Sequence, residues 1–341
     1  MTPNKDEGRL TAPDPDHADG PTGGDVIARL RRAGLRVLPL PQIPASTAAD
    51  ARQAVTAGGG MPALFPGLAH GWPALAAWDP AQLAIAHGGT RVTALMDLPA
   101  TGVLLPEEQC NYERALPFAE FVQAMLTASP DAPCYLAYTR VAGLFPAADY
   151  DFGPLTGGIP GGTDTRVWIG SAGTRSMLHS DLKDNLFCQI WGEKEVVLLP
   201  WQHSRAAYPF PDNIVNSRID VATPDLTAFP RLGRAVLYAG TVRPGDVLFM
   251  PRGCWHDIRS LTPSVSLNHW FGRPLGFADY AQLLARLGPP YWAATARSFL
   301  VHGLLHRRER TRFLFSPPST GKRMYDLVRW GDFSRENDPS G

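Results

Sequence analysis

Between residues 132 and 272 the chain alternates short apolar runs with turn signals: "CYLAYTRV", "TRVWIGSAG", "NLFCQIWG", "KEVVLLPW", "AVLYAG", "DVLFMP", "CWHDIRSL" and "SVSLNHWF". Eight β-rich runs at this spacing predict a barrel or jelly-roll sandwich. The flanks read differently. "DVIARLRRAGL" patterns as a helix with Asp25 near its start, a second helix runs from Pro80 to about His87, and "TRVTALMD" alternates as a strand. In "PFAEFVQAML" the apolar positions Phe118, Phe121, Val122 and Met125 fall on one helical face. Beyond 272, "GFADYAQLLARLG" and "YWAATARSFLVHGLLHRR" carry apolar helical faces split by Pro289-Pro290. Helices of this kind after a complete barrel need a surface to cover, either the barrel's flank or a second subunit.

Residues 1–24 lack large apolar side chains and are expected to be disordered, because burial cannot offset the entropy of ordering them. The expected organisation is therefore a 1–24 leader, a 25–130 α/β region packed on the core, a 131–272 β core, and C-terminal helices and tail over 273–341. "GPLTGGIPGGTD" lacks the G-K-[ST] ending of a phosphate loop and reads as a flexible connection. "DFG" at 151–153 has no H-R-D loop or V-A-I-K strand beside it and is a chance echo. The Arg-rich tail from Arg307 is interspersed with acids and reads as solvated surface.

Composition narrows the function. The 32 basic and 32 acidic side chains of the 341-residue chain cancel, so no global field draws nucleic acid or an anionic membrane; only a local patch could. There is no secretory apolar region at the start and no 18-residue apolar run, which predicts a soluble, cytoplasmic protein. Four dispersed cysteines, Cys110, Cys134, Cys188 and Cys254, form no C-x-x-C and read as buried thiols.

The candidate chemistry starts at "SMLHSDLKDN", with His179 and Asp181 two residues apart. Composition alone predicts roughly 0.8 His-x-acid pairs in such a chain. A second pair, His17 and Asp19, indeed occurs, in the leader where no strand fixes it. At a strand end, His179 and Asp181 would face one point. A third ligand is offered by His256, which opens a strand after a Pro244-Gly245-Asp246 turn, a Val247–Pro251 strand and an Arg252-Gly253-Cys254 turn. Two His and one carboxylate form the facial triad of non-haem iron oxygenases, and catalytic zinc uses similar ligands. A core histidine satisfied by hydrogen bonds is the competing reading of His256. "NLFCQIWGEKEVVLLP" reads as a hairpin turning at Trp191-Gly192-Glu193, with Lys194, Val196 and Leu198 on the face toward the barrel interior. There an unpaired ammonium is unfavourable, and a dianionic ligand would relieve it; a lysine reaching water at the rim is the alternative.

"WIGSAGTRSMLHSDLKDNLFCQIWGEKEVVLLP", "VRPGDVLFMPRGCWHDIRSL" and "SVSLNHW" together resemble the JmjC/cupin-8 oxygenases, a family that includes the asparaginyl hydroxylase of hypoxia-inducible factor. The upstream "MPALFPGLAHGWPALAAWDPAQL" is similar to the family's N-terminal region, so the likeness covers roughly 40–272. The resemblance implies a mainly β fold with flanking helices and a double-stranded β-helix, jelly-roll, cupin-like core. It implies an Fe(II)- and 2-oxoglutarate-dependent dioxygenase that uses O2 and releases succinate and CO2. It assigns His179, Asp181 and His256 to iron. It assigns Lys194 and Ser176 to the distal carboxylate of 2-oxoglutarate, with Tyr135 beside them and Tyr138 as a near competitor. Asn185 and Asn268 would line the co-substrate and metal pocket, and Trp270 would either wall the substrate side or pack. No catalytic residue beyond the metal centre is implied. Hydroxylation of a peptide, protein or small metabolite is the leading expectation. N-methyl-lysine demethylation and a non-catalytic metal-binding cupin are the alternatives. The expected partners are the substrate and a second copy, dimerised through 273–305, with no nucleic acid and no membrane. The segments 153–164 and 204–236 are where substrate determinants are expected, and they carry no recognisable signature.

Overall fold

A computed structural model describes residues 26–45, 47–56, 60–99, 111–142, 144–307 and 319–331. Residues 1–25, with His17, Asp19 and Asp25, lie outside these residues, as does Cys110. The strands are β1 (Arg36–Pro39), β2 (Ala63–Phe65), β3 (Arg91–Leu95), β4 (Glu113–Pro117), β5 (Tyr135–Arg140), β6 (Asp164–Gly170), β7 (Arg175–Ser180), β8 (Asp184–Trp191), β9 (Lys194–Leu199), β10 (Val236–Val242), β11 (Val247–Met250), β12 (Trp255–Ser260) and β13 (Ser264–Phe271).

They form a five-stranded sheet, β1-β10-β9-β12-β7, and an eight-stranded sheet, β2-β11-β8-β13-β6-β5-β3-β4. The core is the four strands β10-β9-β12-β7 facing the four strands β11-β8-β13-β6. This is a jelly-roll, as the pattern of short runs predicts. The eight apolar runs are not quite its eight strands. "CYLAYTRV" supplies β5, which only extends the larger sheet, while "RSMLHS" supplies core strand β7. The run was missed because Arg175, Ser176 and Ser180 make β7 too polar to stand out.

One local reading is corrected. The turn after Trp191 does not close a hairpin. β8 pairs with β11 and β13, and β9 pairs with β10 and β12, so the chain crosses from one sheet to the other. Both strands are buried on both faces through their central residues, and each is central in its own sheet. Gly192 makes the crossing, at φ +71° with the Pro263 carbonyl 2.0 Å from where a Cβ would stand.

The face of β9 turned inward is the expected one. Val196 and Leu198 pack between the sheets with Phe187, Leu248, Met250 and Ile258. Val197 and Leu199 point the other way, into a layer with Leu30, Val37, Ile219, Leu237 and Trp255. The outer face of the larger sheet is covered by the helix Phe118–Thr127, which buries Phe118, Phe121, Val122 and Met125. The helix Pro80–His87 is capped by Asp79, which accepts from the amides of Ala81 and Gln82. Strands from the N-terminal region complete both sheets: β1 runs parallel to β10, and β2 antiparallel to β11.

"GPLTGG" contains a short helix, Gly153–Thr156, where a plain connection is expected. His269 anchors it, reaching the Thr156 and Thr165 hydroxyls at 3.3 and 2.7 Å and stacking on Phe152. The C-terminal helices Phe277–Leu287, Pro289–Ser298 and Thr320–Trp330 follow, with the Phe299–Leu304 turn widened to π geometry. Tyr280, Leu283 and Leu284 cover Ile214 and Leu275, so the first of them packs on the barrel's flank. No helix among the described residues is long and apolar enough to cross a membrane.

Candidate metal centre

β7 and β12 are neighbours, and their register sets His179 directly opposite His256. The imidazole centroids are 4.2 Å apart. Asp181 follows β7 immediately, and its main-chain carbonyl accepts the Gly253 N–H at 2.8 Å, tying the end of β7 to the turn before β12. Gly253 has φ +79°, and a Cβ there would meet the Trp201 ring at 2.4 Å. The outcome is a cluster of His179, Asp181 and His256 whose ligand atoms all lie within 4.8 Å of one another.

The tautomers are set by the backbone. His179 Nδ1 lies 2.6 Å from the Met177 carbonyl, and His256 Nδ1 lies 3.1 Å from the Cys254 carbonyl. A carbonyl only accepts, so each Nδ1 carries the proton and each Nε2 lone pair is left for a metal. Burial, and then the neighbouring His179, push the His256 pKa down to about 4. His256 is therefore a neutral donor at neutral pH, the form that binds metal. The carboxylate is held too. Asp181 Oδ2 accepts from Asn185 Nδ2 and from Trp270 Nε1, both at 2.8 Å. Asn268 Nδ2 donates to Asn185 Oδ1 at 3.3 Å, extending the network. Trp270 therefore holds the Asp181 carboxylate and packs on Tyr138. This donor set, two neutral imidazoles and one oriented carboxylate on one side, fits a divalent metal with open positions.

The inward face of the larger sheet is laid out in rungs. Trp270 lies opposite Asp164 and Asn185; Asn268 opposite Arg166 and Phe187; Ser266 opposite Trp168 and Gln189. The first rung touches Asp181, and the third meets Lys194, whose Nζ donates to Ser266 Oγ at 2.9 Å. Lys194 is 2% exposed. Its ladder partner Ser260 is four positions along β12 from His256, or roughly 13 Å of strand. Among the described residues no carboxylate pairs with it, and desolvation alone lowers its pKa to about 7. The rim-lysine alternative is thereby excluded.

Tyr135 and Ser176 share this end. Their side chains hydrogen-bond, and burial raises the phenol pKa. Lys194 Nζ stands 5.9 Å from the Tyr135 ring centroid and 5.6 Å from that of Phe187. Tyr138 turns elsewhere. It sits at φ +54° in a bulge of β5 and packs on Trp270 and Trp168, under the Arg166 guanidinium. Of the two tyrosines, Tyr135 is the one that stands beside Ser176 and Lys194.

Two site residues were not read from the sequence. Ser266 was findable, since it precedes Asn268 and Trp270 on the same period-two face. Asn216 was not: it bridges to His179 from the long β9–β10 segment, and no local pattern encodes that pairing. Cys134, Cys188 and Cys254 are buried free thiols, with pKa raised in each case chiefly by desolvation.

A sequence profile for the cupin-like domain matches residues 50–276. The chain is 37% identical over 114 residues to Jumonji C domain-containing protein 5 of Drosophila melanogaster, covering 33% of this chain and 28% of that protein. It is 30% identical over 237 residues to human HSPB1-associated protein 1, covering 62% and 47%. It is 38% identical over 107 residues to Lysine-specific demethylase 8 of Xenopus tropicalis, covering 31% and 24%. The chain thus spans less than half the length of each of these relatives.

Proposed function

Because the chain belongs to the cupin-like domain family, we propose that it is an Fe(II)- and 2-oxoglutarate-dependent dioxygenase that hydroxylates a peptide or protein side chain or a small metabolite. The observation that carries this reading is a buried ammonium with no carboxylate partner among the described residues, in the same barrel interior as a His-Asp-His cluster. Charge favours the pairing. A divalent metal with Asp181 leaves one positive charge and Lys194 adds another, which together match a dicarboxylate.

Iron, when bound, would supply O2 activation coupled to decarboxylation of 2-oxoglutarate to succinate and CO2. The chain's own part is positioning. His179, Asp181 and His256 would hold the metal. Lys194, Ser176 and Tyr135 would hold the distal carboxylate, and the arriving anion would restore the lysine's charge. Asn185, Asn268 and Trp270 keep the Asp181 carboxylate in one orientation. Phe187, Leu198 and Met250, buried together between the sheets, would exclude water. No protein group is required to move a proton in the oxidation.

N-methyl-lysine demethylation uses the same centre. It is supported by the likeness to a relative named as a lysine demethylase. Lys194 and Ser176 at the far end of the same interior count against a non-catalytic metal-binding cupin.

Anaerobic protein loaded with Fe(II) should develop a weak visible charge-transfer band on adding 2-oxoglutarate, and should release succinate slowly in air. Absence of both would sink the oxygenase reading. His179→Ala should abolish succinate release while the circular dichroism spectrum stays unchanged; unaltered release would reject the ligand assignment. Formaldehyde release from a methyl-lysine peptide, without hydroxylated product, would favour the demethylase.

A further inference from the structure

The segment between β9 and β10 does more than connect them. It runs beside β7 and extends the smaller sheet by one irregular strand. Asn216 bridges to His179, Ser180 N–H donates to the Val215 carbonyl at 2.8 Å, and Ser217 N–H donates to the Leu178 carbonyl at 3.0 Å. The segment therefore forms the rim of the barrel directly beside a metal ligand. Ser217, Ile219 and Val221 are buried and fasten it to the core.

Two residues beyond Asn216, at most about 7 Å along the chain, stands Arg218. It is exposed, as is Arg231. Both are organised by Tyr208, which adopts φ +45°, a conformation strained for a residue with a Cβ. The Tyr208 carbonyl accepts the Arg218 amide at 3.1 Å and its Nε at 3.3 Å, and the Tyr208 hydroxyl accepts the Arg231 amide at 3.0 Å. The Arg218 guanidinium lies 6.0 Å from the Tyr208 and Phe229 rings, and that of Arg231 lies 5.6 Å from Tyr208. Neither arginine forms an ion pair among the described residues. Nearby acids are engaged. Asp220 pairs with Arg175 and accepts from Ala222 and Thr223, and Asp225 accepts from the amides of Thr227 and Ala228.

We infer that this rim is a docking surface for an acidic stretch of a polypeptide substrate, with Arg218 and Arg231 pairing to its carboxylates on the outer side of the sheet edge, where Tyr208 and Phe229 pack. Arg218, its Nε fixed on the Tyr208 carbonyl, and Arg231, set over the Tyr208 ring, suit carboxylates, whose geometry a guanidinium matches in a forked pair. Nucleic acid fits less well. The chain has no net charge to follow a phosphate backbone. The Tyr208 ring, set against Phe229 and two guanidiniums, is not a free stacking platform. The inference deepens the oxygenase reading by naming a substrate class, and relies on it only for the substrate's position.

The test is fluorescence anisotropy of a labelled hexa-aspartate peptide on the full chain, with hexaglycine and a six-residue oligothymidine for comparison. Hexa-aspartate should bind more tightly than either, more weakly at high salt, and about tenfold more weakly to the R218Q/R231Q double variant. Slow succinate release without substrate should be the same in the double variant. No measurable hexa-aspartate binding, unchanged binding by the double variant, or tighter oligothymidine binding lost in that variant would each overturn the proposal. Failure of the oxygenase reading would register separately, as absent succinate release by the unaltered chain.

Discussion

At the residue scale, Lys194 carries the burden of a buried ammonium. Desolvation lowers its pKa to about 7 from an unfolded value of 10.5. Below pH 7 the lysine is charged in both states, and the full desolvation penalty weakens the fold. Between about 7 and 10.5 the unfolded chain binds the extra proton, so stability rises with pH. Replacing Lys194 by Met should therefore stabilise the ligand-free protein at pH 6, on the order of 1–2 kcal/mol. The advantage should shrink as pH rises toward 10, and urea unfolding at several pH values would measure it. The same variant should raise the 2-oxoglutarate concentration needed for succinate release at least tenfold, since a charged hydrogen-bonding partner is lost. The sequence announced this lysine through the parity of Val196 and Leu198. Its partner Ser266 is equally legible in parity, but only once β13 is known to face β9.

At the element scale, the centre depends on the β11–β12 turn as much as on its ligands. Gly253 combines φ +79° with an N–H that holds the Asp181 carbonyl, and it leaves no room for a methyl group against Trp201. Gly253→Ala should lower stability by at least about 1 kcal/mol. It should also weaken metal binding about tenfold, because Asp181 and His256 would shift apart. Titration of the ligand-free protein with Co(II), followed in the visible, reads the second effect without any turnover. The element types of "PAQLAIAH" and "PFAEFVQAML" were legible from local pattern, since a cap and a helical apolar face decide both. The β8–β9 connection was not. A glycine turn between two apolar strands looks the same whether the strands pair or part.

At the scale of the whole molecule, the C-terminal helices are only partly used by the barrel. Seven of the eleven exposed large hydrophobic side chains among the described residues lie there: Phe277, Trp292, Leu300, Leu304, Leu305, Val328 and Trp330. Such a concentration of apolar surface fits contact with a second copy, and a net charge of zero offers no repulsion between copies. Light scattering at micromolar concentration should give a dimer mass, and Trp292→Glu should shift it toward the monomer. A monomer in the unaltered protein would reject the dimer.

Short apolar runs and turn residues were enough for the sequence to determine a β-rich jelly-roll core, and the same motifs picked out His179, Asp181 and His256 as candidates for one cluster. These features depend on local periodicity, which survives without knowing what packs on what. Tertiary structure alone decided the rest. It placed His179 opposite His256, brought Trp270 onto Asp181, buried Lys194 against Ser266 with no acid among the described residues to pair with it, and laid the β9–β10 segment along β7. Each of these joins residues from different strands, and which strands become neighbours is settled by the burial of whole sheets rather than by any stretch of chain.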